Sequence, residues 1–196
     1  KSWSWRERNL RFENWNPMPE TPTFMSVLRE GGYRTHGIGK CHFTPDPWAL
    51  RGFETRETQE ENQKAGADDY MRFLEREGRG TVFAPNCVRG EMYYVPLASQ
   101  LPAELHPTNW VRDRRAAYIN EQAGADRPWL LFSSFIHPHP PFCPPSPWHK
   151  LYRAPMMPPP RIPEDAESLH VFINRVQNRY KFRDAEIGRA SCRERV

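Results

Sequence analysis

Prolines constrain what the last third of this chain can form. Eleven prolines lie between Pro138 and Pro163, and proline lacks the backbone N–H that a helix or a sheet interior needs. The segment before them, residues 128–135 (PWLLFSSF), is almost continuously apolar and too short for a buried helix. We therefore predict a strand there, buried on both faces as in a parallel sheet, that runs into extended coil.

Two helix-to-strand units along the chain predict an α/β fold. The first unit begins with a helix that Thr21 or Thr23 caps and that Gly31 and Gly32 end. A short strand follows in residues 33–40 (YRTHGIGK). The residues that recur at helical spacing and should face the core are Phe24, Val27 and Leu28.

The second unit joins a helix over residues 108–124 to the strand predicted over residues 128–135. Another helix is predicted between Asp68, a good N-terminal cap, and Gly78, which ends it. Residues 44–63 carry prolines early and charges late, a composition typical of a loop. The core-facing residues predicted for these two helices are Tyr70, Phe73, Leu74, Trp110, Val111, Ala117 and Tyr118.

The last ten residues, 187–196 (IGRASCRERV), resemble the translation of a common sequencing adapter. We expect the natural part of the chain to end near Glu186, with residues 187–196 as a non-native tail. Without that tail the formal net charge falls from +4 to +2, because the tail holds three arginines and one glutamate. A chain so close to neutral gives no electrostatic argument for nucleic-acid binding. No apolar run approaches the ~18 residues of a membrane-spanning helix.

Cysteine spacing predicts neither a disulfide framework nor a zinc site. Cys41, Cys87 and Cys143 are widely separated, Cys192 falls in the tail, and no Cys-x-x-Cys pair occurs. We therefore expect free thiols in a reducing compartment.

Lys40 and His42 lie two residues apart at the end of the first predicted strand, so an extended backbone would project both to one side. An ammonium beside an imidazole suits an oxyanion, because one neutralises charge and the other exchanges a proton near neutral pH. A solvated lysine beside a packed histidine is the alternative. The string GIGK is not a phosphate loop, since Arg34 stands where that motif has its first glycine and Cys41 where it has Ser or Thr.

The string SFIHPHPPFCPP, residues 134–145, allows three interpretations. His137 and His139 share one side of an extended chain and suggest a metal clip, although no carboxylate or third histidine is nearby. The prolines suggest a docking peptide, although such peptides usually lie in disordered tails. The position directly after a strand favours an active-site wall, since ligands of α/β sheets bind beyond the carboxyl ends of the strands. That position would bring His139 to the same region as Lys40.

Three motifs in order resemble the type I sulfatases of the alkaline phosphatase superfamily. Residues 22–43, PTFMSVLREGGYRTHGIGKCHF, are similar to the family's helix followed by GYRT and GKWH, with Cys41 in place of the tryptophan. Residues 51–54, RGFE, resemble the Gly-Phe-Asp/Glu that follows it. Residues 128–145, PWLLFSSFIHPHPPFCPP, resemble the family's PFFLYLSFxxPHxPxxPP, and residues 151–163 resemble its proline-rich continuation. The change to cysteine should alter packing rather than chemistry.

The resemblance implies an incomplete alkaline phosphatase-like domain with a central mixed, mostly parallel sheet flanked by helices. Residues 1–186 would form the middle section of that catalytic domain. Lys40 would bind the sulfate oxygens, and His42 would hydrogen-bond the nucleophile and act as base in its regeneration. His139 would contact the sulfate and the leaving-group oxygen, whereas His137 falls on a variable position.

The resemblance also implies parts that we expect outside residues 1–186. The family's nucleophile is a formylglycine made from Cys or Ser in a C/S-x-P-x-R motif, and no cysteine of this chain completes that pattern. The ligands of the divalent cation, expected to be calcium, would also lie elsewhere, so the sequence predicts no metal ligand here. A fragment of this kind would be inert alone.

The function implied by the resemblance is hydrolysis of a small sulfated substrate. The complete enzyme would need a partner that generates its formylglycine, and no nucleic-acid or membrane partner is expected. A phosphonate or phosphate ester hydrolase of the same superfamily is the nearest alternative. A non-catalytic proline-rich binding module is the alternative from a different class.

Overall fold

The computed structural model divides into two compact units. The sheet unit combines residues 1–81 with residues 107–136, and the proline-rich unit combines residues 82–106 with residues 137–196. The expected boundary at Glu186, and the tail after it, lie outside the residues that the structure describes. The described residues are 22–43, 46–61, 66–88 and 96–159.

The sheet unit contains a three-stranded parallel sheet with the strand order β2-β1-β3. A parallel sheet with helices before, between and beside its strands confirms the predicted α/β class. The elements are α1 (Phe24–Glu30), β1 (Arg34–Gly39), β2 (Thr55–Thr58), α2 (Asp69–Arg76), α3 (Pro107–Gln122) and β3 (Trp129–Ser134).

The central strand is β1, and it is buried from its second residue onward. It pairs with β3 over its whole length, from Arg34 opposite Trp129 to Gly39 opposite Ser134. The prediction that β3 is buried on both faces was wrong, because its residues are half-buried or exposed. Among the described residues β3 has a strand neighbour on one side only, so the doubly covered position belongs to β1.

Strand β2 lies inside the segment that the sequence predicted as a loop. Its four residues, TRET, carry no apolar side chain and therefore show no alternation that periodicity could detect. Pairing with β1, from His36 opposite Thr55 to Gly39 opposite Thr58, supplies the strand structure instead.

Helices cover both faces of the sheet. On one face Phe53 and Met25, which lies on α1, belong to one buried cluster. The Phe53 ring occupies the space above Gly37, where an added Cβ would lie 3.2 Å from the ring. On the other face Tyr118 of α3 stacks on His36 with ring centroids 4.3 Å apart. This layering is typical of α/β domains.

The predicted core stripe of α1 was largely wrong. Phe24 and Val27 are 56% and 58% exposed, and Met25 is the buried residue of the helix. With only seven residues, α1 presents one narrow side to the sheet. Of the two caps that the sequence offered, Thr21 and Thr23, the helix uses Thr23. Its side chain accepts a hydrogen bond from the Ser26 amide at 3.1 Å.

Helices α2 and α3 form close to where the sequence predicts them. Asp68 caps α2 by accepting a hydrogen bond from the Met71 amide, as expected of an N-terminal aspartate. Helix α3 begins at Pro107, one residue before the predicted Thr108. The buried residues of the two helices are Tyr70, Met71, Leu74, Pro107, Trp110, Val111, Tyr118 and Gln122.

The proline-rich unit contains turns and short 3-10 helices at Ala103–Leu105, Trp148–Lys150 and Ala154–Met156. The prediction of plain extended coil after β3 was therefore only partly right. The expectation of free thiols was wrong for two cysteines, because Cys87 and Cys143 form a disulfide across 56 residues. Spacing along the sequence could not reveal a pair that the fold brings within 6.0 Å between Cα atoms. Cys41 stays a buried free thiol.

Candidate active site

Lys40 lies directly after the carboxyl end of the central strand. The strand ends at Gly39, whose backbone packs closely on β3. A Cβ added to Gly39 would lie 2.0 Å from the Ser134 carbonyl oxygen. The Lys40 ammonium donates a hydrogen bond to the Glu61 carboxylate, and both side chains are mostly buried. The position is therefore a shielded ion pair at the edge where ligands of α/β sheets bind.

A second carboxylate, that of Glu60, lies beside the same ion pair. It accepts a hydrogen bond from the Cys41 amide and interacts electrostatically with Lys40 and Arg56. The Glu60 amide donates to Asp68 Oδ2 at 2.8 Å, while Asp68 Oδ1 accepts from the Met71 amide at 2.7 Å. Asp68 thus ties the loop that carries Glu60 to the start of α2.

Burial raises the pKa of Glu60 to about 7, against the opposing effects of Lys40, the Cys41 amide and Arg56. A carboxyl whose pKa is higher in the folded protein stabilises the fold most when it is protonated. We expect this contribution to be complete below about pH 4.5, the group's ordinary pKa, and to be lost as the pH rises through 7. Urea unfolding at pH 5 and pH 8 should show a decrease on the order of 2 kcal/mol.

The matched variant is Glu60→Gln, which keeps the shape but does not titrate. Its stability should fall much less between the two pH values, with the remaining slope due to groups such as Asp68, whose pKa burial also raises. An equal slope in both proteins would show that Glu60 is not the titrating group.

His42, the second predicted residue, is exposed and lies two residues after Lys40. Between them the Cys41 side chain is buried and belongs to the cluster of Met25 and Phe53. Burial raises the pKa of the Cys41 thiol, so it stays protonated and apolar in character. Cys41 therefore fills a core position between Lys40 and His42.

His139, the third predicted residue, lies in the proline-rich unit and is exposed. Its Nδ1 donates a hydrogen bond to the Pro140 carbonyl at 2.6 Å. Lys40 and His42 belong to the sheet unit, so the structure places two of the three predicted residues together on one strand end and the third on the other unit.

His137 differs from His139 in its environment. Both of its ring nitrogens are buried without a hydrogen-bond partner, and its ring lies 5.1 Å from that of His106. Burial lowers the pKa of His137 to about 4, with smaller contributions from His106 and His139. The ring is therefore neutral at pH 7.

The sequence analysis did not find Glu60 and Glu61. They lie in a run of charged residues, QEENQK, that has the composition of a solvated loop. The signal that would have found them is β2, since a strand ending at Thr58 delivers the following residues to the same edge as Lys40.

Comparison with known proteins shows to which family the chain belongs. The sulfatase family model matches residues 5–161, which is most of the chain and includes all three motifs. The chain belongs to the sulfatase family. That family assignment confirms the resemblance drawn from the sequence.

Relatives of this sulfatase-family chain include two curated proteins. It is 26% identical to an arylsulfatase of Clostridium perfringens (strain 13 / Type A) over 173 residues, which cover 79% of this chain and 36% of the relative. It is 25% identical to the multifunctional alkaline phosphatase superfamily protein PehA of Trinickia caryophylli over 158 residues, covering 72% and 30%. The chain thus spans about a third of the length of these relatives.

Two solved structures share the fold of this sulfatase-family chain. A phosphonate monoester hydrolase from Silicibacter pomeroyi has a TM-score of 0.59 at 20% identity, covering 84% of this chain and 36% of that one. A phosphonate monoester hydrolase of Agrobacterium radiobacter has a TM-score of 0.51 at 20% identity, covering 69% and 29%. Together with the match to the sulfatase family model, this likeness establishes the alkaline phosphatase-like fold.

The described part of this sulfatase-family chain holds no group of three or more His, Cys, Asp or Glu side chains arranged to bind a metal ion. The donor set at Lys40 does not fit a cation either, because an ammonium already occupies the space beside the Glu61 carboxylate. Within the same described residues, no helix is both long enough and apolar enough to cross a membrane.

Proposed function

We propose that the chain forms part of the oxyanion-binding site of a hydrolase that cleaves sulfate esters. The observation that carries this proposal is the position of Lys40, directly after the central parallel strand of a sulfatase-family domain. Ligands of such sheets bind beyond the carboxyl ends of the strands. A shielded ammonium at that edge suits the negative charge of a sulfate group.

The proposed roles follow from the chemistry of each group. Lys40 holds the sulfate oxygens through its positive charge, which counts for more in a shielded site than in water. His42, exposed beyond the strand end, hydrogen-bonds the nucleophile and takes its proton during regeneration. His139, exposed in the proline-rich unit, donates a proton to the leaving oxygen.

The proposal places the nucleophile and the cation in other segments of the complete enzyme. The nucleophile would be a formylglycine supplied by a maturation enzyme, and the cation, calcium in our proposal, would act as a Lewis acid. The described residues of this chain do not fit the cation. They would instead bind, orient and protonate the small sulfated substrate.

The alternative substrate class is a phosphonate monoester. The two structural neighbours named above are phosphonate monoester hydrolases, which favours keeping this class beside sulfate esters. Both classes present a tetrahedral, negatively charged group that Lys40 would bind in the same way.

The test needs a polypeptide that carries this chain together with a C/S-x-P-x-R segment. In it, Lys40→Ala and His139→Ala should each lower kcat/KM by about a hundredfold, the usual effect of removing one charge-stabilising group. The matched variant His137→Ala should have a mild effect, since its ring is buried and neutral. Assays with p-nitrophenyl sulfate and p-nitrophenyl phenylphosphonate would show which ester class the enzyme prefers.

Equal losses at His137 and His139 would contradict the assignment of His139. Unchanged turnover of both esters after Lys40→Ala would reject the proposed function itself.

A further inference from the structure

Side chains of opposite charge follow neighbouring strands at the carboxyl edge of the sheet. Gly39, the last residue of β1, is the register partner of Thr58, the last residue of β2. Lys40 follows the first strand end, and Glu60 and Glu61 follow the second. Because paired strands lie about 4.8 Å apart, their continuations meet, and the carboxylate of Glu61 binds the Lys40 ammonium.

The ion pair is held in a shielded place. The side chains of Lys40 and Glu61 are only 16% and 14% exposed, so water screens their charges weakly. Glu60, itself buried, interacts with the same ammonium, and its amide is fixed by Asp68. An anion that reaches Lys40 therefore meets one positive charge and, in contact with it, a negative charge.

We propose that Glu61 shifts the selectivity of the Lys40 site away from dianionic esters and toward esters with a single negative charge. This inference rests on the proposed function, in which Lys40 binds the ester oxygens. The physical reason is that the attraction to Lys40 and the repulsion from Glu61 both scale with the charge of the ligand. A compact dianion has two charges near the carboxylate and suffers most from it.

The selectivity separates known ester classes by charge. Sulfate monoesters and phosphonate monoesters carry one negative charge at neutral pH, whereas phosphate monoesters carry close to two. Glu61 therefore penalises the third class more than the first two. Glu61 would act as a specificity-determining residue that never needs to touch the reacting atoms.

The experiment uses the longer polypeptide that carries this chain together with a C/S-x-P-x-R segment. Its ligands are methyl sulfate as the monoanion and methyl phosphate as the dianion at pH 8. Binding is followed by nuclear magnetic resonance, through the Cε–Hε signals of Lys40. In Glu61→Gln the affinity for methyl phosphate should rise about tenfold more than the affinity for methyl sulfate, as one close unit charge would produce. A merely structural role of Glu61 would change both affinities by the same factor.

Two further variants serve as controls. Glu61→Asp keeps the charge and should keep the ratio of the two affinities near that of the unchanged chain. Glu30→Gln alters the net charge equally but lies at the end of α1, before the amino end of β1. The length of β1 separates Glu30 from Lys40 by roughly 20 Å. Glu30→Gln should therefore leave the ratio of the two affinities unchanged.

The outcomes separate this inference from the proposed function. If Lys40→Ala abolishes anion binding but Glu61→Gln raises both affinities equally, the selectivity inference is overturned and the oxyanion role stands. If Lys40→Ala leaves the binding of both anions intact, both are overturned. If neither anion binds to the longer polypeptide that carries this chain together with a C/S-x-P-x-R segment, both are overturned as well. A ratio that moves with Glu30→Gln as much as with Glu61→Gln would also overturn the selectivity inference.

Discussion

Replacing Gly39 by alanine should destabilise the sheet unit by about 4 kcal/mol, a large share of the stability of a small domain. Gly39 has a φ of +90°, which alanine rarely adopts, and its added Cβ would lie 2.0 Å from the carbonyl oxygen of Ser134. That contact is with backbone of the paired strand β3, so no side chain can rotate away. Urea unfolding followed by far-UV circular dichroism would measure the loss.

Gly32→Ala is the matched control because it separates backbone strain from the steric clash. Gly32 has nearly the same φ, +91°, but nothing lies within 4 Å of an added Cβ. The substitution should therefore cost only the strain of a left-handed alanine, about 1 kcal/mol. Equal losses at the two positions would show that the clash between β1 and β3 is not the dominant cost.

Reducing the disulfide between Cys87 and Cys143 should lower the stability of the proline-rich unit by nearly as much as Gly39→Ala lowers that of the sheet unit. A cross-link that spans 56 residues lowers the entropy of the unfolded chain by an amount worth about 4 kcal/mol in the loop-closure model. The cross-link also holds residues 142–144, whose three consecutive backbone carbonyls all accept hydrogen bonds. Phe142 and Pro144 accept from the amides of Leu97 and Ser99, and the Cys143 carbonyl accepts from His106 Nε2 at 3.0 Å.

Amide hydrogen exchange at Leu97 and Ser99 would report this loss directly, since both amides donate to the cross-linked segment. In the double variant Cys87→Ala, Cys143→Ala their exchange should accelerate by at least about a hundredfold. Cys192→Ala removes a cysteine without removing the cross-link and should leave the exchange unchanged. Alkylation of Cys87 and Cys143 in the unreduced chain would contradict the disulfide itself.

Local signals in the sequence were enough for the elements whose causes are local. The caps at Thr23 and Asp68 bond to amides three residues ahead, and the stop at Gly78 needs only its own backbone. The position of Lys40 after a strand could be predicted for the same reason, because a strand and its next residue are adjacent in sequence. The family resemblance added the roles of His42 and His139, which remain predictions.

Features that depend on distant partners could not be predicted in this way. Strand β2 forms because it pairs with β1, and its four polar residues have no sequence pattern that would predict this pairing. The disulfide and the ion pair of Lys40 with Glu61 join residues that only the fold brings together. The burial of β3 was misjudged because an apolar run shows how hydrophobic a strand is, but not how many neighbours it has.

The disulfide also bears on where such a chain can mature. Disulfides form and persist in the bacterial periplasm, the endoplasmic reticulum and extracellular space, and are rare in reducing cytosol. A preparation with the cross-link between Cys87 and Cys143 therefore needs an oxidising compartment or oxidative refolding. A preparation made in a reducing host would carry both thiols, and its proline-rich unit would be a poor guide to the properties of the cross-linked chain.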